Sequence, residues 1–123
     1  MNQDEVRVLV VDDVTDVAQA LAALLACDGY TTQVAHDAGS AMGACETKLP
    51  HCVLLDINMP DVDGLELAQR LRTRFGNDLI LIAVTGSGDP DDRVSESFAC
   101  FDHYLRKPVT QEQLRAVLGP LIA

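Results

Sequence analysis

Short apolar runs alternate with helical stripes along the whole chain, and few folds accommodate that rhythm. Val6 to Val11, Cys52 to Leu55 and Leu79 to Val84 are dominated by Val, Leu and Ile and flanked by polar or turn residues, as strands buried on both faces are. Thr31 to Ala35 and His103 to Leu105 are weaker strand segments. Between the runs, Val14, Val17, Ala18 and Leu21, continuing to Leu24 and Leu25, follow the i, i+3, i+4, i+7 template of an amphipathic helix. Leu67, Leu71 and Phe75 step by four, as do Val94 and Phe98. Leu114, Val117, Leu118 and Leu121 form one stripe, with Thr110 and Gln113 spaced as a capping box before it. Five βα units follow. Right-handed crossovers then require an α/β fold with a parallel sheet covered on both faces by helices, and in such sheets sites form at the carboxyl ends of strands.

With 123 residues the expectation is a single domain, 1–123. Hydrophobic residues make up 48% and charged ones 23%, which excludes disorder and collagen-like structure. Nineteen acidic against nine basic residues leave a net charge of −10, the reverse of a nucleic-acid footprint. The longest apolar run, Ala20 to Cys27, is too short to cross a bilayer, and the acidic start lacks the features of a secretory signal. A cytoplasmic protein without membrane or nucleic-acid partners is expected. Cys27, Cys45, Cys52 and Cys100 lack Cys-x-x-Cys spacing and lie within apolar segments, so they read as buried free thiols.

The acidic residues fall in an informative place. Asp12 and Asp13 directly follow Val8-Leu9-Val10-Val11, and Asp56 directly follows Cys52-Val53-Leu54-Leu55. If those strands are neighbours, three carboxylates converge at one sheet edge. Taken singly, Asp13 also reads as a cap for the next helix and Asp56 as the start of a turn. Convergent carboxylates repel, a cost tolerated mainly where a cation is bound. Oxygen-only ligands at a reachable edge favour Mg²⁺, with Mn²⁺ the alternative. Two more strand ends add Thr85, a hydroxyl, and Lys107, an ammonium set before Pro108. A carboxylate nucleophile, metal, hydroxyl and ammonium suit phosphoryl transfer, where catalysis is mostly positioning and charge neutralisation.

Over essentially its whole length the sequence resembles a receiver domain of the two-component response regulators. Val8-Leu9-Val10-Val11-Asp12-Asp13 is similar to that family's acidic pair, and Leu54-Leu55-Asp56-Ile57-Asn58-Met59-Pro60-Asp61-Val62-Asp63-Gly64 to its phosphoacceptor segment. Val84-Thr85-Gly86 resembles the switch-hydroxyl strand, and Asp102-His103-Tyr104-Leu105-Arg106-Lys107-Pro108 the switch-aromatic and lysine segment. The resemblance implies a flavodoxin-like (βα)5 fold with strand order 2-1-3-4-5. It implies that Asp56 takes a phosphoryl group from a phosphohistidine, on a sensor histidine kinase or a histidine phosphotransfer protein. Asp13, Asp56 and the backbone carbonyl of Asn58 would ligate Mg²⁺, with Asp12 acting through water. Lys107, aimed by a cis bond to Pro108, would pair with the phosphoryl oxygens. Thr85 would turn inward and Tyr104 follow, altering the face of the fourth helix, fifth strand and fifth helix that a downstream protein reads. Such a module catalyses its own phosphorylation and dephosphorylation and is not a turnover enzyme in the usual sense. Asn58 and Ser87, small and polar beside the attack line, imply slow to moderate self-dephosphorylation. One departure stands out: where many receivers have Gly before the last strand, this chain reads Ala99-Cys100-Phe101-Asp102, which bears on the end of the fourth helix.

Two other function classes compete with this reading. A haloacid-dehalogenase-type phosphatase also uses a strand-end Asp, but its second acid two residues later is here Asn58, which cannot relay protons. A phosphorylation-independent pseudo-receiver usually loses an acidic residue or the lysine, and both are retained. Gly86-Ser87-Gly88 lacks the spacing of a phosphate-binding loop and reads as a connection. His36, His51 and His103 lack metal spacing and read as surface or loop polarity; Arg70, Arg72 and Arg74 read as a solvated face. With the last residue just past the final helix, output by association with a partner is expected, as a free-standing regulator or as the receiver of a hybrid kinase.

Overall fold

The structure, a computed structural model, describes residues 6–57, 64–85, 101–106 and 109–122. Strands β1 (Arg7–Val11), β2 (Thr31–Ala35), β3 (Cys52–Asp56), β4 (Ile80–Thr85) and β5 (His103–Arg106) alternate with helices α1 (Thr15–Cys27), α2 (Ala38–Thr47), α3 (Gly64–Phe75) and, last, α4 (Gln111–Ile122). All pairings are parallel, and the order is β2-β1-β3-β4-β5, as the resemblance implies. The helix expected at Val94 and Phe98, Cys100 and the Gly86-Ser87-Gly88 connection lie outside the described residues.

Side-chain alternation along the strands divides the core in two. Leu9, Val11, Val53, Leu55, Leu81 and Ala83 pack with α2 and α3. Val8, Val10, Cys52, Leu54, Ile82 and Val84 pack with Ala18, Leu21 and Leu25 of α1 and with Leu114 and Leu118 of α4. The three central strands thus bury both faces, while edge strand β2 is exposed at Thr31 and Gln33, which is why its apolar signal is weak. Each fully buried Leu or Val contributes roughly 1.5–3 kcal/mol over leaving it in water. At α4 the Thr110–Gln113 capping box forms as its spacing predicts: Gln113 N–H donates to Thr110 Oγ1 at 3.2 Å, and Thr110 N–H to Gln113 Oε1 at 2.8 Å. Arg115 ties α4 to the end of α1 through Asp28, at 3.0 and 3.2 Å.

Several sequence readings are corrected. Val14 fits the helical stripe but is half exposed, because it is the N-cap of α1 and precedes the first turn. Cys27 is exposed at the last turn of α1, whereas Cys45 and Cys52 are buried free thiols. Burial raises the Cys45 thiol to about 11 and pushes Cys52 higher still, so both stay protonated. α2 escaped the periodicity analysis because its Ala, Gly and Ser residues make a faint stripe; the usable signal was the Asp37-x-x-Ser40 cap.

Arg72 is not part of a solvated face. Its guanidinium donates to Gly76 O at 2.7 Å, Leu79 O at 3.1 Å and Asp102 Oδ2 at 2.9 Å. The same Asp102 oxygen accepts from Leu81 N–H at 2.9 Å, and Asp102 N–H donates to Leu81 O at 2.8 Å. This cluster joins the end of α3 to the entry of β4 and β5. His51 is likewise structural: its Nδ1 accepts Arg7 N–H at 3.0 Å, while its own N–H and C=O bridge β1 and β4.

Desolvation, and then the charge of Arg7, lower the His51 pKa in the fold. The unfolded chain therefore takes up the proton more readily, and the contribution of His51 to stability is lost as pH falls below about 6.5. The parent is expected to lose melting temperature faster than His51→Gln as pH drops from 7.5 to 5.5, read by circular dichroism at constant ionic strength. Parallel curves would contradict this.

Candidate functional site

The register places the acidic residues together. In the β1–β3 pair Val11 lies opposite Leu55, so Asp12 and Asp13 leave β1 beside the point where Asp56 ends β3. One carboxylate oxygen from each of Asp12, Asp13 and Asp56 lies within 4.8 Å of the others. Asp12 and Asp56 are 1% and 4% exposed, and they are the buried acids among the described residues; Asp13 is partly exposed. Two buried carboxylates beside a third carry a desolvation cost.

The bland readings of these residues do not hold. The N-cap of α1 is Val14, and no side chain caps that helix, so Asp13 is not spent as a cap. Asp12 Oδ1 accepts Val14 N–H at 2.9 Å, which turns the chain sharply out of β1. Asp56 is the last residue of its strand, fully within the ladder opposite Val84, and not the start of a turn.

The donor set fits a hard divalent cation. All three groups are oxygen donors, and their spread compares with the roughly 4.2 Å separating opposite ligands around Mg²⁺ at bonds of about 2.1 Å. Among the described residues no thiol or imidazole belongs to the cluster, which disfavours soft-metal chemistry.

Thr85 ends β4 with its Oγ1 donating to Leu105 O at 3.4 Å, a long bond easily exchanged. Tyr104, on β5, is 62% exposed, the outward orientation. Thr85 pairs with Arg106 in the ladder, so the segment leading to Lys107 runs beside the hydroxyl. Asn58, Ser87, Lys107 and Pro108 lie outside the described residues.

Gly64, the last residue of the phosphoacceptor-like segment, has a steric role that the sequence pattern does not show. A Cβ there would stand 2.7 Å from Ile57 Cα and 2.9 Å from Asp56 O, so only glycine lets the start of α3 close against the main chain at Asp56. His36 was missed as well: it follows β2 directly, and its Nδ1 lies 3.1 Å from Asp12 O.

Comparison with known proteins gives a consistent answer. The family model described as "Response regulator receiver domain" matches residues 8–119. Response regulator MprA of Mycobacterium ulcerans is 38% identical over 117 residues, 95% of this chain and 50% of the relative. The chain therefore spans about half the length of the curated relatives it matches. Among solved structures, a CheY-like receiver domain protein from Methanospirillum hungatei aligns with TM-score 0.83 and 28% identity, over 95% of this chain and 93% of that one. The receiver domain of NtrX from Brucella abortus aligns with TM-score 0.83 and 29% identity, over 92% and 95%.

Relief of carboxylate repulsion gives a stability test. In chelator, Asp13→Asn is expected to melt a few degrees above the parent, and saturating Mg²⁺ is expected to raise the parent by several degrees but not the variant. Equal melting temperatures without a Mg²⁺ response would mean that the carboxylates do not act together.

Proposed function

Because the chain belongs to the response regulator receiver domain family, we propose that it accepts a phosphoryl group on Asp56 and signals by the change of surface that follows. The observation that carries this reading is the convergence of Asp12, Asp13 and Asp56 at the carboxyl ends of two adjacent central strands. A carboxylate oxygen of Asp56 attacks phosphorus in line, the P–N bond to the donor ring breaks, and that ring, already protonated at its other nitrogen, leaves as neutral imidazole with the electron pair of the bond. The donor is a phosphohistidine on a sensor histidine kinase or a histidine phosphotransfer protein.

Asp13, Asp56 and the Asn58 carbonyl would hold the divalent ion, with Asp12 acting through water. Bound there, Mg²⁺ neutralises charge on the transferred oxygens. Lys107 takes the remaining phosphoryl charge. Thr85 exchanges its long bond to Leu105 for one to the phosphoryl group, and Tyr104 moves inward from its exposed position. The population shifts only by as much as the phosphoryl group prefers the inward packing. The partner surface is the fourth helix, fifth strand and fifth helix of the expected pattern, the last being α4 of the described residues. The unit of action is one receiver domain over residues 1–123, and Asn58 and Ser87 set a slow to moderate loss of the phosphoryl group.

Intact-protein mass spectrometry after incubation with acetyl phosphate tests this. A phosphoryl-sized gain is expected in the parent with Mg²⁺, absent in Asp56→Asn and absent in chelator. A gain that persists in folded Asp56→Asn would overturn the assignment of the acceptor. No gain in folded, Mg²⁺-bound parent, with a phosphorylated histidine kinase as donor as well, would favour a pseudo-receiver.

A further inference from the structure

His36 leaves β2 at the same sheet edge as the acidic cluster, and its ring is engaged there. Nδ1 lies 3.1 Å from the main-chain oxygen of Asp12. A carbonyl oxygen only accepts, so Nδ1 carries the proton. The N–H of Asp12 in turn donates to Ala35 O at 3.1 Å. Consecutive residues at the exit of β2 thus hold both main-chain polar groups of Asp12, and the carbonyl held by His36 belongs to the peptide that leads into Asp13.

The corner carrying His36 is itself fixed. Ser40 Oγ accepts from His36 N–H and Asp37 N–H, each at 3.3 Å. Asp37 Oδ1 accepts Ser40 N–H at 2.7 Å, completing the capping box of α2. An exposed histidine that served only solubility would have no reason to be anchored at its backbone by a helix cap and at its ring by a carbonyl of the acidic turn.

We propose that His36 is a positioning residue for the acidic site: its Nδ1–H holds the Asp12–Asp13 peptide in the orientation that keeps both carboxylates turned toward Asp56, and so sets the affinity for a divalent cation. The inference rests on the reading of the three carboxylates as a cation site. It needs no contact between the imidazole and the ion. Partners that orient ligands in this way typically govern affinity by an order of magnitude or more.

Calorimetric titration of Mg²⁺ into the 123-residue chain tests it, comparing the parent with His36→Ala and His36→Asn. His36→Ala is expected to bind about tenfold more weakly. His36→Asn, whose amide nitrogen stands where Nδ1 does, should return to within about threefold of the parent, a rescue that a general loss of packing would not produce. In chelator all three should melt within a few degrees of one another. Unchanged affinity in His36→Ala, or an equal loss in folded His36→Asn, would overturn the proposal. Folded parent that takes up no Mg²⁺ would overturn the cation site itself, and with it this role. Should the variants not fold, nitrogen NMR of the parent decides: a neutral ring protonated at Nδ1 supports the bond, and one protonated at Nε2 refutes it.

Discussion

The parallel pairing of β1 with β3, Val11 opposite Leu55, is the constraint from which the rest of this molecule follows. Both strands are central and bury both faces, and β3 runs only one residue past the level where β1 ends, so the residues after Val11 and Leu55 share one small volume. Those residues are acids. Burial of Leu9, Val11, Val53 and Leu55 on one side and of Val8, Val10 and Leu54 on the other supplies the free energy that holds charges where they repel. A one-residue slip of either strand would turn its inward residues to the opposite face, so the register that assembles the site is the one the core enforces.

Around that edge the fold is rigid where the acids are held. Gly64 brings the start of α3 against Asp56 and Ile57. The α2 cap fixes the corner from which His36 reaches Asp12. Arg72 and Asp102 pin the entry of β5 to β4, so that strand starts from a fixed point while Tyr104, two residues on, stands exposed. Thr85 Oγ1 reaches the main chain of β5 through a long bond to Leu105 O, weak enough to be exchanged. Under the proposed function, the firmly anchored acids take the covalent event, and Thr85 and Tyr104 relay it to the surface.

Strands β1, β3 and β4 were legible because their Val, Leu and Ile runs are buried on both faces, and Asp12, Asp13 and Asp56 because they stand immediately after two such runs. Periodicity failed where side chains are small or roles are local. α2 packs through Ala41 and Cys45, too few and too small for a stripe. Val14 matched the stripe but belongs to a cap. Arg72 and His51 act through main-chain partners up to 44 residues away, and charge patterning carries no trace of such pairings. Gly64 and His36 depend on how close two segments approach, which only the folded backbone reveals.

Crystals grown with saturating Mn²⁺ and measured at the manganese absorption edge address the central claim most directly, because the anomalous signal locates the ion without reference to any activity. The account predicts one dominant anomalous peak at the carboxyl ends of β1 and β3, in bonding contact with Asp13 and Asp56 and beside Asp12. A saturated crystal with no peak there, or with manganese bound only elsewhere, would contradict it.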